Sequence, residues 1–207
     1  MRAPARLDAN MAIDRASSAR RLLTCLTIKW SQSGAKTYFA LIRECYELDW
    51  LILTKRPQNI TKMLPPDWGR EYRNVWLGIT AEDQAHFNQR WQYLQNIPSG
   101  IKFISYEPAL GPLHLPKHDP LPNWVISGGE SGPKARPINP QWVRDIIAAC
   151  WQRGIAPFHK QWGTYNSNPL VVEHGLSIED AKDLDKHGKG GGLVDGKLIR
   201  EFTLPIR

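Results

Sequence analysis

From residue 36 onward the sequence repeats one pattern, in which a short apolar run ends in polar residues and a longer segment separates it from the next run. The runs begin near residues 51, 76, 102, 124 and 157. Continuous apolar runs of this length are typical of strands buried on both faces, and the segments between them suit crossover connections. The pattern predicts an α/β fold with a parallel sheet, either a barrel or a doubly wound sheet.

The connecting segments carry helix signals at several points. Residues 37–48 place apolar side chains at helical spacing. Thr80 is the predicted N-cap of a second helix with Glu82 in its first turn, and Asn139-Pro140 is predicted to open a third. Residues 108–122 contain five prolines and are predicted to lack a regular helix.

The part of the chain after Gly163 differs from the repeating pattern. Residues 176–186 are predicted to form a short polar helix, and the glycine-rich Gly188–Gly192 a flexible stretch. Asp195-Gly196 favours a type I′ turn, so residues 193–199 are predicted to form a hairpin. We therefore expect three parts: an N-terminal segment over residues 1–35, a parallel sheet over 36–163 and a C-terminal tail over 164–207.

Much of the positive charge lies at the N-terminus. The formal net charge is +7, and residues 1–30 hold six basic and two acidic side chains. This Arg/Ala/Ser-rich composition predicts that residues 1–35 are disordered or unrelated to the rest of the chain. A basic arm also makes nucleic acid a candidate partner.

The three cysteines, Cys25, Cys45 and Cys150, are scattered. Their spacing fits neither a disulfide framework nor a C-x-x-C site, and the histidines form no H-E-x-x-H pair, so we predict no metal site. Reduced thiols are typical of a cytoplasmic protein. No stretch of 18 apolar residues exists, so no membrane span is predicted.

Polar side chains follow every predicted strand. In parallel α/β folds ligands bind at the carboxyl ends of the strands, so these residues form a candidate binding face. Two carboxylates could serve acid/base or hydrogen-bonding roles, and several cations could hold an anionic ligand. The glycines of 128–132 allow close approach of a ligand to the backbone. The candidate residues are Lys55, Arg56, Glu82, Glu107, Glu130, Arg136, Lys160, Gln161 and Trp162.

Several short motifs at these strand ends occur in a defined order. They are Thr54-Lys-Arg-Pro57, Trp76-Leu-Gly-Ile-Thr80, Ser105-Tyr-Glu-Pro-Ala-Leu-Gly111, Gly128-Gly-Glu-Ser-Gly132, Phe158-His-Lys-Gln-Trp-Gly163 and the Asp195-Gly196 hairpin. This series resembles the phage gene-product-37/gene-product-68 family, whose members look like radical-SAM enzymes and are distantly similar to spore photoproduct lyase. The resemblance implies a partial (β/α) barrel, a [4Fe–4S] cluster held by three cysteines, and S-adenosylmethionine. It also implies that Glu130 resembles the Gly-Gly-Glu carboxylate that holds the amine of S-adenosylmethionine.

The chain departs from this family in its first residues. Family members carry their cluster cysteines in an N-terminal segment that has no counterpart in residues 1–36. The departure predicts that this chain binds no cluster and that its barrel lacks its first strands, with an exposed sheet edge that could drive self-association. A truncated copy, a degenerate binder and one half of a split protein remain as explanations. The expected function is a radical-SAM-like protein without cluster chemistry, or a nucleic-acid-binding module, and whether it is an enzyme stays open.

Overall fold

The computed structural model describes residues 22–26, 32–69 and 72–203, with side chains from residue 38 onward. It confirms a mixed α/β fold built on a parallel sheet, and the described part contains six strands in the order β1-β2-β3-β4-β5-β6. Their bounds are Leu22–Leu26 (β1), Asp49–Thr54 (β2), Val75–Thr80 (β3), Ile101–Tyr106 (β4), Trp124–Gly128 (β5) and Ala156–Gln161 (β6). A strand order that follows the chain without reversing is consistent with a partial (β/α) barrel.

Helices and short turns connect the strands. The helices are Gln32–Glu44 (α1), Ile60–Met63 (α2), Gln84–Leu94 (α3), Pro140–Trp151 (α4), Pro169–Val172 (α5) and Ile178–Leu184 (α6). The predicted N-cap of α4 is confirmed, because the Asn139 side chain accepts a hydrogen bond of 2.9 Å from the backbone N–H of Gln141. Residues 108–122 contain no helix, as their prolines predicted. Thr80 does not cap α3, since Asp83 accepts from the backbone N–H of His86 instead.

Ordered structure begins earlier than the composition of the N-terminal segment predicted. Strand β1 lies within the segment expected to be disordered and pairs with β2, and α1 begins at Gln32 rather than near residue 37. The short apolar run at Leu22–Leu26 can complete its backbone hydrogen bonds on β2, which an averaged composition does not reveal. Residues 1–21 lie outside the described residues, so their disorder and the loss of earlier strands stay predictions.

The two faces of the sheet bury different cores. The outer face packs against α1, α3 and α4 through a large apolar cluster that includes Ile42, Trp91 and Ile147. The inner face carries a smaller cluster at the amino ends of the strands, where aromatic rings from alternate strands meet. The Trp76 and Trp124 rings, on β3 and β5, lie 5.7 Å apart at 89°. Side chains of the chain itself therefore cover the inner face of the sheet at the amino ends of the strands.

The C-terminal tail is part of the same body rather than a separate unit. Residues 199–201 run antiparallel to β6, with the N–H of His159 donating to the carbonyl of Ile199 at 2.7 Å. A hairpin forms from Leu193–Val194 (β7) and Lys197–Leu198 (β8), as predicted. One sheet edge is therefore covered, whereas β1 has no second neighbour among the strands that the structure describes. An exposed edge and self-association stay predictions for the β1 side.

The expectation of a flexible glycine stretch is wrong. Gly190, Gly191 and Gly192 are buried, and the N–H of Trp162 donates to the carbonyl of Gly191 at 2.9 Å. The glycines are there because the loop passes too close to its neighbours for side chains. A Cβ on Gly191, whose φ is +84°, would lie 2.3 Å from the Asp185 carboxylate. Composition alone could not distinguish this tight packing from flexibility.

Candidate functional site

A largely buried carboxylate, Glu107, directly follows β4 in the middle of the strand ends. Its Oε2 accepts a hydrogen bond of 3.2 Å from the Ser105 hydroxyl, and Lys160 Nζ on β6 lies 3.3 Å from its Oε1. Oε1 is buried and accepts no hydrogen bond of good geometry from the described residues. Burial raises the pKa of Glu107, against the opposing effects of Lys160 and Ser105. This carboxylate has spare capacity to accept a hydrogen bond.

The glycine after β5 makes room for this carboxylate. A Cβ on Gly128 would lie 2.5 Å from Glu107 Oε1, so a larger residue at this position would displace the carboxyl group. The Glu107–Pro108 peptide bond is cis, and the N–H of Ala109 donates to the carbonyl of Gly128 at 2.9 Å. The sequence predicted that a ligand approaches the backbone closely at residues 128–132. At Gly128 the side chain of Glu107 occupies that space instead.

A second carboxylate, Glu82, lies between β3 and α3 and gathers two cations. Arg90, from α3, donates to Glu82 Oε2 at 2.6 Å and to the Thr80 carbonyl at 2.9 Å, while Lys55 donates to Oε1. Burial alone would raise the pKa of Glu82, but the hydrogen bonds from Lys55 and Arg90 help to lower it. Glu82 is therefore held as an anion.

The third carboxylate, Glu130, lies in the loop after β5. Arg136 donates to it through Nε and Nη2, each at 2.8 Å, and through its backbone N–H at 2.8 Å. These bonds lower the pKa of Glu130 to about 2. The same bonds raise the pKa of Arg136, to which the negative charge of Glu82 also contributes.

In three of the four ion pairs that these carboxylates form with described lysine and arginine residues, the cation is far more exposed than its carboxylate. The exception is Arg90, whose side chain is 12% exposed against 10% for Glu82. We call the surface formed by the carboxyl ends of β2–β6 and their following loops the strand-end face. The exposed side-chain fractions are 59% for Lys55 against 10% for Glu82, 59% for Arg136 against 29% for Glu130, and 36% for Lys160 against 16% for Glu107. A ligand approaching this face therefore meets positive charge first and reaches carboxylates beneath it.

Two predicted site residues are buried rather than presented to solvent on the strand-end face. Trp162 is fully buried in the outer core, where its Nε1 donates to the Leu193 carbonyl at 2.9 Å. Gln161 is also buried, and its Nε2 donates to the Gly129 carbonyl at 3.0 Å. The tail covers both residues, since the N–H of Trp162 donates to the carbonyl of Gly191 and a Cβ on Gly188 would lie 3.0 Å from the Gln161 Cβ. Arg56 is exposed, and among the described residues its guanidinium makes no ion pair.

The sequence reasoning missed two residues that shape this region. Arg90 was not among the candidates, although it contacts the candidate carboxylate Glu82. Arg90 lies eight residues after Glu82, about two helical turns away, which was the available signal. The second is His159, fully buried on the outer face with its Nδ1 3.0 Å from the Ser127 hydroxyl. Burial lowers the pKa of His159 to about 3.

The cysteines do not fit an iron–sulfur cluster. Cys45 follows α1 and Cys150 lies in α4, and both pack in the outer core, away from the strand-end face. Burial raises the pKa of the Cys150 thiol to about 12, whereas a metal ligand must be a thiolate. Only Cys25, in β1, remains, and three thiolates would be needed. Within the described ranges no group of three or more histidine, cysteine, aspartate or glutamate side chains could hold a metal ion.

Comparison with known proteins assigns a family without an activity. Residues 22–203 match a family of proteins of unknown function, DUF5131, and the chain belongs to that family. The match begins at β1, so part of the segment expected to be unrelated belongs to the family domain. No curated protein and no solved structure matches the chain. A membrane-crossing helix is likewise not found, because none of the described helices has the required length and apolarity.

Proposed function

We propose that the protein is a radical-SAM-like partial barrel that binds a zwitterionic, amino-acid-type ligand on its strand-end face, without cluster chemistry in this chain. The ligand class is the one that the family resemblance implies, namely S-adenosylmethionine or a close analogue. The position of the charged side chains supports this proposal, since ligands of (β/α) barrels bind at the carboxyl ends of the strands.

The observation that carries the proposal is the unfilled acceptor on Glu107. Its Oε1 is buried and accepts no hydrogen bond of good geometry from the described residues, although Lys160 Nζ lies 3.3 Å away. Buried carboxylate oxygens are normally hydrogen-bonded, and unsatisfied ones cluster at sites that receive a ligand. A ligand ammonium group would complete the hydrogen bonding of Glu107.

The Glu107–Lys160 pair also matches the other end of such a ligand. Lys160 is 36% exposed, so it can turn from Glu107 toward a ligand carboxylate without leaving water entirely. A bound zwitterion would then place its ammonium group on Glu107 and its carboxylate on Lys160, which replaces one ion pair by two. Gly128 leaves the space in which the Glu107 carboxyl group lies.

Calorimetric titration with S-adenosylmethionine and S-adenosylhomocysteine tests the proposal. We expect both to bind, and Glu107→Gln to weaken binding at least about tenfold because a charged acceptor is lost. The matched control is Glu47→Gln, which removes an exposed glutamate far from the strand ends and should leave affinity unchanged. No binding to the wild-type protein, or equal loss in both variants, would refute the proposal.

The pH dependence of binding gives a second readout. Because burial raises the pKa of Glu107, binding of a ligand ammonium group should tighten as pH rises through that pKa. Glu107→Gln should abolish this dependence.

The lack of cluster chemistry is tested by anaerobic treatment with iron and sulfide, after which we expect a colourless protein. A stable brown protein would contradict that part of the proposal.

A further inference from the structure

We propose that Gln161 is a second hydrogen-bond acceptor for the ammonium group of the ligand, beside Glu107, and that the site therefore selects a primary ammonium group over an N-methylated one. This assignment rests on the proposed function, since it concerns the same ligand, and it adds a residue and a specificity to it. Three features support it: the register of β5 and β6, the contacts of the two glycines at the end of β5, and a second buried oxygen without a hydrogen bond.

The register between β5 and β6 shifts by one residue near the ends of the two strands. Ser127 of β5 pairs with His159 of β6. The following residue, Gly128, pairs with Gln161. Lys160 is thus the extra residue of a β-bulge, a feature that often lies next to active sites. Residues opposite each other in a sheet present their side chains to the same face, so Gln161 faces the same side as position 128.

The carboxylate of Glu107 lies on this same side of the sheet. A Cβ on Gly128 would lie 2.5 Å from Glu107 Oε1, so the carboxylate occupies the space toward which residue 128 faces. Lys160 Nζ, from the bulge, lies 3.3 Å from the same oxygen. Because Gln161 is opposite Gly128, the side chains of Glu107, Lys160 and Gln161 meet around one short stretch of backbone.

A hydrogen bond fixes which terminal atom of the Gln161 amide is free. Its Nε2 donates to the Gly129 carbonyl at 3.0 Å, and a carbonyl can only accept, so the atom at that position is the nitrogen. The other atom, Oε1, is buried and accepts no hydrogen bond from the described residues. Only 8% of Gln161 is exposed. Since buried polar atoms are normally hydrogen-bonded, this oxygen is a second acceptor available to a ligand.

Two unfilled acceptors set a requirement on the group that binds them. A primary ammonium group has three N–H donors, enough for Glu107 Oε1 and Gln161 Oε1 together. A dimethylated ammonium group has the same charge but one N–H, so it leaves one buried acceptor unpaired. A site built to hydrogen-bond a donor discriminates strongly against analogues that lack it. Lys160 is 36% exposed and can turn outward to admit the ligand group.

Calorimetric titration with S-adenosylhomocysteine and with its derivative dimethylated on the α-amino group tests this selectivity. We expect the wild-type protein to bind S-adenosylhomocysteine at least about tenfold more tightly than the derivative. Gln161→Met should weaken binding of S-adenosylhomocysteine about tenfold. It should change binding of the derivative less than about twofold, because the derivative has no second N–H to donate. The selectivity should therefore largely disappear in this variant.

Gln152→Met is the matched control. Gln152 is exposed and follows α4, before the amino end of β6, so its replacement should leave both affinities unchanged. Thermal unfolding checks the fold of Gln161→Met, which also loses the hydrogen bond to the Gly129 carbonyl. The comparison of the two ligands on the wild-type protein needs no variant, so it tests the selectivity even if Gln161→Met does not fold.

Either of two results would overturn the assignment. The wild-type protein could bind the two ligands equally, or the folded Gln161→Met variant could keep the wild-type selectivity. Absence of S-adenosylhomocysteine binding to the wild-type protein is a different failure, which would refute the proposed function and this assignment with it. The two failures are therefore distinguishable.

Discussion

Asp185 in the tail and Glu107 on the strand-end face are both buried carboxylates, but they differ in the groups that donate hydrogen bonds to them. Asp185 accepts hydrogen bonds from the backbone N–H groups of Gly192 and Leu193 at 2.9 Å. Among the described residues, Glu107 accepts one hydrogen bond, from the Ser105 hydroxyl at 3.2 Å, and the Lys160 ammonium lies 3.3 Å from its other oxygen.

The pKa values follow this difference. Burial raises the pKa of both groups, but at Asp185 the backbone hydrogen bonds outweigh burial and the net shift is downward. At Glu107 burial prevails and the pKa is raised. Backbone donors are fixed by the fold, so Asp185 organises the tail loop. Glu107 relies on side chains that can move, which suits a group that exchanges partners with a ligand.

The largest expected effect is at the loop that Asp185 organises. Gly191→Ala should lower the free energy of unfolding by about 3–4 kcal/mol, because the new Cβ would crowd Asp185 and Asn168 at a positive φ. Gly196→Ala is the control, since Gly196 has a similar φ of +76° and nothing within 4 Å of its Cβ position. It should cost about 1 kcal/mol. Equal losses in urea unfolding would show that the close approach is unimportant.

Asp185→Asn should be the next most damaging change. The amide turns one acceptor into a donor opposite backbone N–H groups, so we expect a loss of about 2–3 kcal/mol. Asp183→Asn, an exposed neighbour, should change stability little. Thermal unfolding at neutral pH measures both variants. Similar melting temperatures for the two variants would mean that Asp185 does not hold the tail.

Acid should destabilise the protein through His159. Burial lowers its pKa to about 3 from 6.5, so the unfolded chain binds a proton that the folded chain refuses. The stabilising effect is complete above pH 6.5 and is lost as pH falls toward 3, by about 1.4 kcal/mol for each pH unit at most. His159→Gln should flatten the stability profile between about pH 6 and pH 5. A slope unchanged by the substitution would assign the acid sensitivity to other groups.

Replacing Glu107 should affect the free energy of unfolding in the opposite direction to replacing Asp185. Because its pKa in the folded state is raised above 4.5, its contribution to stability declines as pH rises through that raised pKa. Glu107→Gln should therefore raise the free energy of unfolding at neutral pH, by about 1 kcal/mol. Lys160→Met should lower stability at high pH and not at low pH, since it removes the cation beside a buried carboxylate. Destabilisation by Glu107→Gln would make this carboxylate structural, like Asp185.

The smallest expected effect is at the pair on the surface. Glu130 and Arg136 form a bidentate contact at 2.8 Å, yet both are accessible to water. Arg136→Met should leave the urea unfolding curve unchanged within error. A clear loss of stability would indicate that Arg136 holds the loop after β5.

Local patterns predicted the strands of the parallel sheet correctly. The apolar runs near 51, 76, 102, 124 and 157 became β2–β6, because a strand buried on both faces needs only its own residues to be apolar. The same reasoning failed at Trp162 and Gln161, which the tail buries. That contact joins distant parts of the chain, so no local pattern reveals it.

By itself, the sequence determined that the chain forms a parallel α/β fold and that polar side chains collect at one end of the sheet. Only the tertiary structure decided that Arg90 and Lys55 share Glu82, that Glu107 keeps a spare acceptor, and that the glycine loop packs around Asp185. The physical reason is the separation along the chain. Apolar periodicity acts between near residues, whereas hydrogen bonding of a buried carboxylate depends on groups that meet only after folding.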